Sequence, residues 1–297
     1  MLQRLDSIWP IAALVFAFFA MACGDTAEDD LDNDGSEEIE TKGLLISGGG
    51  FHTCAIKSQE MHCWGEDGHG QTSPPEGSFQ SVSAGDTHTC AIDAEDSLIC
   101  WGSDESGKSS PPAGTFHQVS SGHSHACAIN DDQNVVCWGS DQYQQLNYPL
   151  ETYLYVASSA RHSCAIDDDG YVSCWGDDDH GQSDAPEDIR FQQLSAASNQ
   201  TCGLTLEGGI ECWGRDTDGE SSPPSGQFVA IDIGGSHGCA LTSDSEVECW
   251  GRPADGRTDA PSGTFEHITV GNRHSCALDG DEITCWGNND HGQSSSP

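Results

Sequence analysis

The sequence predicts an all-β chain folded as a seven-bladed β-propeller, with one intra-blade hairpin disulfide per blade. Three observations carry that prediction. Fourteen of the fifteen cysteines fall into seven pairs that recur about every 37 residues. The second cysteine of every pair is followed at once by Trp-Gly, as in Cys63-Trp64-Gly65. The stretch around each pair, drawn as a hairpin, carries bulk on both of its faces. Self-similarity at this period means one supersecondary unit used repeatedly. A β unit that is apolar on both sides has to be covered on both sides, as propeller blades are.

The first element is a targeting segment, residues 1–22. Arg4 opens it, an apolar run of ten residues follows from Ile11 to Ala20, and Ala20-Met21-Ala22 offers a small-residue cleavage site. A run of that length is too short to span a bilayer as a helix. The triplet fits ordinary secretion, and with Cys23 it also resembles the lipobox of bacterial lipoproteins, although Ala20 stands where that motif usually has Leu. Cys23 is the one cysteine left without a partner, and an unpaired thiol in an exported chain needs a reason. Lipidation of Cys23 is therefore the expectation, with simple secretion and an uncleaved anchor as the competing readings. The expected destination is the outer membrane or cell surface, and otherwise the secreted or periplasmic space.

Residues 23–42 are expected to be an acidic, disordered tether. Gly24 to Thr41 holds nine carboxylates and no basic residue, too little apolar content to order itself. Asp30-Leu31-Asp32-Asn33-Asp34-Gly35 resembles the start of a calcium loop, but the twelfth position is Thr41 rather than Glu. A solvated spacer is the preferred reading and a weak calcium contact the other; no cofactor is expected.

The propeller is expected over residues 43–297. In each unit the cysteine spacing builds a hairpin. If Cys164 opposes Cys174, then Ile166 opposes Val172 and Asp167 opposes Tyr171, leaving the three-residue loop Asp168-Asp169-Gly170. Pairing Cys276 with Cys285, nine apart instead of ten, leaves the two-residue turn Gly280-Asp281. Loops such as Ser243-Asp244-Ser245 lack the glycine and fit that scheme less well. Opposed cysteines suit the pairs Cys54/Cys63, Cys90/Cys100, Cys127/Cys137, Cys164/Cys174, Cys202/Cys212, Cys239/Cys249 and Cys276/Cys285 as disulfides. The competing readings are reduced cysteines acting as small core residues and metal ligation with the histidines that precede them. The spacing of structural zinc sites is missing, so no metal is expected. The segment Leu44-Leu45-Ile46 is a candidate to complete the last blade and zip the ring shut.

The segments Ser83-Ala84-Gly85-Asp86-Thr87-His88-Thr89-Cys90-Ala91-Ile92 and Cys63-Trp64-Gly65-Glu66-Asp67-Gly68-His69-Gly70-Gln71 resemble the repeat of the regulator of chromosome condensation family. The resemblance covers about residues 43–297 and is similar above all to the bacterial branch, which includes β-lactamase inhibitory propellers. It implies a seven-bladed propeller and, by analogy with those relatives, an inhibitor of a secreted or periplasmic enzyme as an alternative function. The family's turn Asn is replaced by Asp67, Asp104, Asp141, Asp178 and Asp216 and by Pro253, and it stays as Asn289. No long insertion matches the wedge with which the eukaryotic exchange factor acts on a small GTPase, so that activity is not expected here.

Three sets of side chains are candidates. The recurring Asp would form an acidic ring at one mouth, or else would close its own turn, which is the preferred reading. His52, His88, His125, His162, His237 and His274, with Gln200 in the fifth unit, are expected to be structural, since catalysis would need one special histidine. The third unit departs most, and Tyr143, Tyr148, Tyr153 and Tyr155 are expected to form a partner-binding patch; the competing reading has them pack between blades three and four. Units four and five also replace the entry glycine, by Ser159 and Ala197.

The net charge of -39, from 49 acidic against 10 basic residues, repels nucleic acid and suits a basic partner. No nucleophile elbow, phosphate loop or zinc helix motif is present, so no enzyme is expected. The expected function is non-catalytic binding of an extracellular or envelope protein or glycan by a monomer that meets the membrane only through its lipid anchor. Inhibition of an enzyme is the alternative, and action on polysaccharide is the third reading.

Overall fold

A computed structural model describes residues 45–297. The expected signal segment and tether, Cys23 and the calcium-like stretch lie outside those residues. Among the described residues no helix is long and apolar enough to cross a membrane.

Twenty-one strands form seven antiparallel three-stranded sheets, each built from consecutive strands. In the second blade the inner strand is Phe79–Ala84, the middle strand His88–Asp93 and the outer strand Leu98–Gly102. Every pair of cysteines faces across the middle and outer strands, from Cys54↔Cys63 to Cys276↔Cys285. The backbone bond from Asp93 N to Ser97 O lies just beyond the pair Ile92↔Leu98 and marks it as a non-hydrogen-bonded pair. Two residues further along, Cys90↔Cys100 is therefore of the same type, the closer of the two antiparallel spacings.

All seven pairs are disulfides: Cys54–Cys63, Cys90–Cys100, Cys127–Cys137, Cys164–Cys174, Cys202–Cys212, Cys239–Cys249 and Cys276–Cys285. Their Cα atoms are 4.0–4.1 Å apart. The bridges exclude the competing reading of reduced core thiols, and the two ends of each bridge are not equivalent. The middle-strand partners, Cys54, Cys90, Cys127, Cys164, Cys202, Cys239 and Cys276, are fully buried. The outer-strand partners, Cys63, Cys100, Cys137, Cys174, Cys212, Cys249 and Cys285, are only half-buried. The cause is their position, since the outer strand is the free edge of its sheet and has a neighbour on one side alone. Cys137 and Cys212 still pack against the core from that edge strand. Seven disulfides are the pattern of an oxidising, extracellular or periplasmic compartment.

The hairpin loops follow the expected geometry more uniformly than their sequences suggest. Gly170 and Gly208 hold the left-handed position, and Asp96, Gln133 and Ser245 adopt it too, at φ between 61° and 65°. The loop Ser243-Asp244-Ser245, expected to fit poorly, is thus the same turn without its glycine. The backbone bond from Phe265 N to Ser245 O, repeated at each three-residue hairpin, holds the chain in that shape.

The closing strand is not where the sequence suggested. Leu45–Gly48 pairs with the middle strand of its own first blade, Leu45↔Ile56 through Gly48↔Thr53, and does not complete the seventh. The ring closes instead by contacts between blades seven and one. Gly48 N donates to Thr269 Oγ1 at 2.7 Å, Trp64 Nε1 donates to Gln293 O at 2.9 Å, and Asn272 N donates to Gly49 O at 3.1 Å.

The core lies between the blades. Ile92 of the second blade packs with Phe116, Val119 and Trp138 of the third, and the same layer recurs between its neighbours. Burying each such side chain contributes roughly 1.5–3 kcal/mol, so a blade is stable only against another blade.

Candidate interaction faces of the propeller

Each blade presents two ends. The turn from inner to middle strand lies beside the loop that follows Trp-Gly, because the residue after Trp-Gly donates to that turn, as Ser103 N does to Thr87 O. This end forms the mouth face. The middle-to-outer hairpins form the opposite, hairpin face. There the linker re-enters the next blade, where Phe116 N donates to Asp96 O.

The recurring side chains of the mouth end join blades. Five of the six histidines place Nε2 on a hydroxyl of the following blade, at 2.7–2.9 Å: His52 with Thr89, His125 with Ser163, His162 with Thr201, His237 with Ser275 and His274 with Thr53. All six rings are fully buried. Burial pushes them down to about 3 or 4, so they are neutral at ordinary pH. His88 meets Ala126 at the partner position and neither of its ring nitrogens finds a hydrogen bond. Gln200 replaces the histidine and donates to Gly234 O at 3.0 Å. The tryptophans add a second set of joints. Trp101 Nε1 donates to Gln71 O, Trp138 to Lys108 O and Trp175 to Gln145 O, each at 2.9 Å.

The turn aspartates close their own loops. Asp67 accepts from Thr72 N and Ser73 Oγ, and Asp104 and Asp216 repeat both bonds. Their carboxylates are committed locally rather than to an open ring of ligands. Among the described residues no group of three or more His, Cys, Asp or Glu is arranged to hold a metal ion.

The entry glycines have a physical cause. A Cβ at Gly85 would stand 2.5 Å from Gly122 O, and one at Gly271 would stand 2.6 Å from Gly49 O. Adjacent blades approach there through backbone alone, and Gly50 N to Gly85 O, Asp86 N to Gly122 O and His123 N to Ser159 O form a ladder around the mouth. Between Ser159 and Asn272 these backbone rungs lapse, and side chains bridge part of the sector instead, Ser159 Oγ to Ser198 O and Gln200 Nε2 to Gly234 O.

Inside the ring runs a polar channel of about 270 Å³ lined by the inner strands. Its main ring of side chains went unnoticed in the sequence, although it recurs seven residues before each first cysteine: Ser47, Ser83, Ser120, Ala157, Ser195, Asp232 and Thr269. All but Ala157 accept the backbone N–H of the next inner strand, as Ser83 Oγ does from Ser121 N at 2.8 Å. Asp232 is the carboxylate of this set. It accepts from Ser195 Oγ, Ile233 N, Thr269 Oγ1 and Val270 N. Burial pushes its carboxyl upward, against those four bonds. With both oxygens occupied, Asp232 acts as a clasp between blades five, six and seven.

The four tyrosines do not form one surface. Tyr143 is exposed on the mouth face, with the Arg161 guanidinium 4.4 Å over its ring. Tyr148 is half-buried against the core beside blade four. Tyr153 is fully buried in the place that Phe79 and Phe116 hold in other units. Tyr155 lines the channel, where burial pushes its phenol up to about 12. Tyr153 packs in the core and Tyr155 lines the channel, so a partner meets Tyr143 at most, with the edge of Tyr148.

Comparison with known proteins agrees with the architecture. The family model described as the regulator of chromosome condensation (RCC1) repeat matches residues 79–108, 116–145, 155–182, 228–257 and 265–293. Among solved structures, the chain is similar to the CRINKLY WD40 ectodomain from the Arabidopsis thaliana receptor kinase ACR4, at 25% identity, covering 82% of this chain and 94% of that one, with a TM-score of 0.71. The ectodomain of the Physcomitrella patens receptor kinase CR4 is similar at 23% identity, over 82% and 73% of the two chains, with a TM-score of 0.69. Prp20p from Saccharomyces cerevisiae, whose structure was described with its binding to Gsp1p and histones, shares the fold at 14% identity, over 84% and 83%, with a TM-score of 0.67.

Proposed function

We propose, from the premise that this is a chain of regulator of chromosome condensation repeats, that it is a non-catalytic binding module exported to the cell envelope. In this reading residues 1–22 direct export, Cys23 carries the lipid, and residues 23–42 hold the propeller away from the bilayer. One observation carries it: the recurring polar side chains are engaged within the ring. Five of the six histidines bond the next blade, the turn aspartates close their loops, and Asp232 accepts four hydrogen bonds. What remains free is the set of loop residues that differ from blade to blade, which is where a scaffold of equivalent units carries specificity. Prp20p, described with its binding to Gsp1p and histones, supports a protein as the partner class.

The test is chemical cross-linking of the full chain in intact envelopes, followed by mass spectrometry of linked peptides. A stoichiometric protein partner linked through loop residues is the expected result. Recovery of the chain linked only to itself would remove the reading. Mass spectrometry of the native N-terminus decides the anchor, because an unmodified Cys23 rules lipidation out.

A further inference from the structure

Among the described residues six large apolar side chains are exposed: Tyr143, Leu150, Leu154, Tyr171, Leu206 and Val229. Tyr143 is on the mouth face. The other five lie toward the hairpin face, in the sector that runs from the linker into blade four to the start of blade six. Their connection can be followed bond by bond. The Arg190 guanidinium lies 5.2 Å over the Tyr171 ring. Leu206 N donates to Arg190 O, and Phe228 N, next to Val229, donates to Gly208 O in the loop that Leu206 begins. Leu154 and Val229 hold the position that is Gln80, His117, Gln192 or Glu266 in other blades. There Gln80 and Gln192 turn back and donate to their own hairpins. Leu154 and Val229 have no such bond to make, and Val229 remains 60% exposed. Packing within the propeller does not account for this strip.

Charge selects what covers it. Of the eight Lys and Arg among the described residues, six stand on the mouth face: Lys108, Arg161, Arg215, Arg252, Arg257 and Arg273. Most are already partnered there, Arg161 with Asp177, Arg215 with Glu220 and Arg257 with Asp255. The hairpin face has only Lys57 and Arg190. Every hairpin carries a carboxylate in or beside its loop, and Asp168-Asp169, Glu207 and Asp244 flank the apolar strip itself. Exposed carboxylates around an apolar strip fit a cationic surface that brings aliphatic groups with it. They repel an anionic bilayer and the acidic tether of the same chain.

We propose that the hairpin face of blades four to six is the docking surface for a basic, amphipathic protein segment. Its aliphatic side chains cover Leu154, Tyr171, Leu206 and Val229, and its cationic side chains meet the hairpin carboxylates. The inference rests on the binding reading above and adds the face and the partner chemistry. Residues on this strip were not among those singled out from the sequence.

The test uses the full chain and two peptides of equal charge, one amphipathic Lys/Leu and one Lys/Ser, in fluorescence anisotropy at rising salt. The Lys/Leu peptide binds more tightly. L206S/V229S weakens it roughly tenfold and leaves the Lys/Ser peptide unchanged. D168N/D169N weakens both and flattens the salt dependence. Equal binding of the two peptides, or indifference of Lys/Leu binding to L206S/V229S and to Y171S, overturns the proposal. So does a greater loss from the mouth-face pair E105Q/D179N. So does binding of the lipid-free chain to phosphatidylserine vesicles through the same strip. An envelope partner cross-linked to the mouth face would defeat this inference while leaving the binding reading intact.

Discussion

The two ends of the propeller are built from the same strands and differ in what holds them. At the mouth face adjacent blades are joined by imidazole-to-hydroxyl bonds, by indole-to-carbonyl bonds and by a partial backbone ladder. At the hairpin face each blade is closed on itself by a tight turn and meets its neighbour through the re-entering linker, while the disulfide ties middle to outer strand between the two ends, two residues from the mouth-end histidine in His88-Thr89-Cys90. One end is cross-blade, non-covalent and repetitive. The other is within-blade and variable. A repeat protein can vary loops that only close their own unit, whereas a change at a cross-blade joint affects two units at once. The hairpin face is therefore where the exposed apolar strip collects, among carboxylates accompanied by only two of the eight described Lys and Arg, Lys57 and Arg190.

The largest way to break the comparison is to reduce the disulfides. Each closes a loop of about ten residues, worth roughly 2–3 kcal/mol in the chain-entropy model. Seven together exceed the ~5–15 kcal/mol by which domains are usually stable. Under reductant the cooperative unfolding transition, followed by tryptophan fluorescence, is expected to vanish at room temperature. Partial reduction should speed hydrogen exchange in the outer strands before the inner strands, because each bridge ties the outer edge strand to the middle one. Equal acceleration in inner and outer strands would mean that the bridges do not brace the outer edge.

Acid is the complementary break, because it acts on the mouth joints. The six buried histidines have folded pKa values of about 3 to 4, below the ordinary value of 6.5. Between those limits the unfolded chain binds the protons and the folded chain does not. Stability is therefore unaffected above pH ~6.5 and falls as pH drops from there toward ~4, at up to about 1.4 kcal/mol per pH unit per histidine. Asp232 works in the opposite sense, since its raised pKa favours the folded state on acidification. Denaturant melts at a series of pH values should show about six protons taken up on unfolding near pH 5. Uptake of one or two would mean that the imidazoles are solvated.

How much of this was legible follows the same division. The hairpins were readable because their geometry is local: spacings of nine and ten around a turn leave one register, and Cys164↔Cys174 and Cys276↔Cys285 are found in it. The unequal burial within each bridge was not readable, because Cys127 and Cys137 look alike until the sheet shows which strand is its edge. The cross-blade joints were hidden too. The partner of His52 is Thr89, 37 residues on, and only closure of a ring brings them within 2.9 Å. Asp232 was one carboxylate among 49 acidic residues until its position opposite Cys239 placed it in the channel. The tyrosine cluster was read as a surface because four tyrosines are close in sequence. Neighbours in sequence enter different environments here: just before the strand Tyr155–Ser158, Tyr153 is buried in the core and Leu154 is exposed, while Tyr155 lines the channel. The exposed strip on blades four to six was missed for the related reason that its members come from four separate loops.

A finer test contrasts single substitutions at the two ends. Thr53 Oγ1 meets His274 Nε2 at 2.7 Å and Gln293 O at 3.1 Å, at the joint that closes the ring. Thr53→Val keeps the shape and leaves those buried groups unpaired, which should cost about 1–3 kcal/mol. Asp168→Asn, on an exposed hairpin, should change stability by less than about 0.5 kcal/mol. Equal effects in chemical denaturation would erase the distinction between joint and loop.

One substitution is expected to act in the opposite direction, because one mouth joint is incomplete. His88 has no hydroxyl opposite it, since the position filled by Thr89, Ser163 or Thr201 at other joints is Ala126. Lys108 spans the same gap from above, donating to Thr87 Oγ1 at 2.7 Å and to His123 O at 3.3 Å. Ala126→Ser supplies the hydroxyl in a backbone setting that Ser163 already occupies one blade further on. If the imidazole-hydroxyl bond is what joins blades, this variant should gain about 1 kcal/mol, and its imidazole should show a hydrogen-bonded nitrogen shift by NMR. A loss of stability would mean that the second joint is packed around the missing hydroxyl, with Lys108 serving as its substitute rather than its supplement.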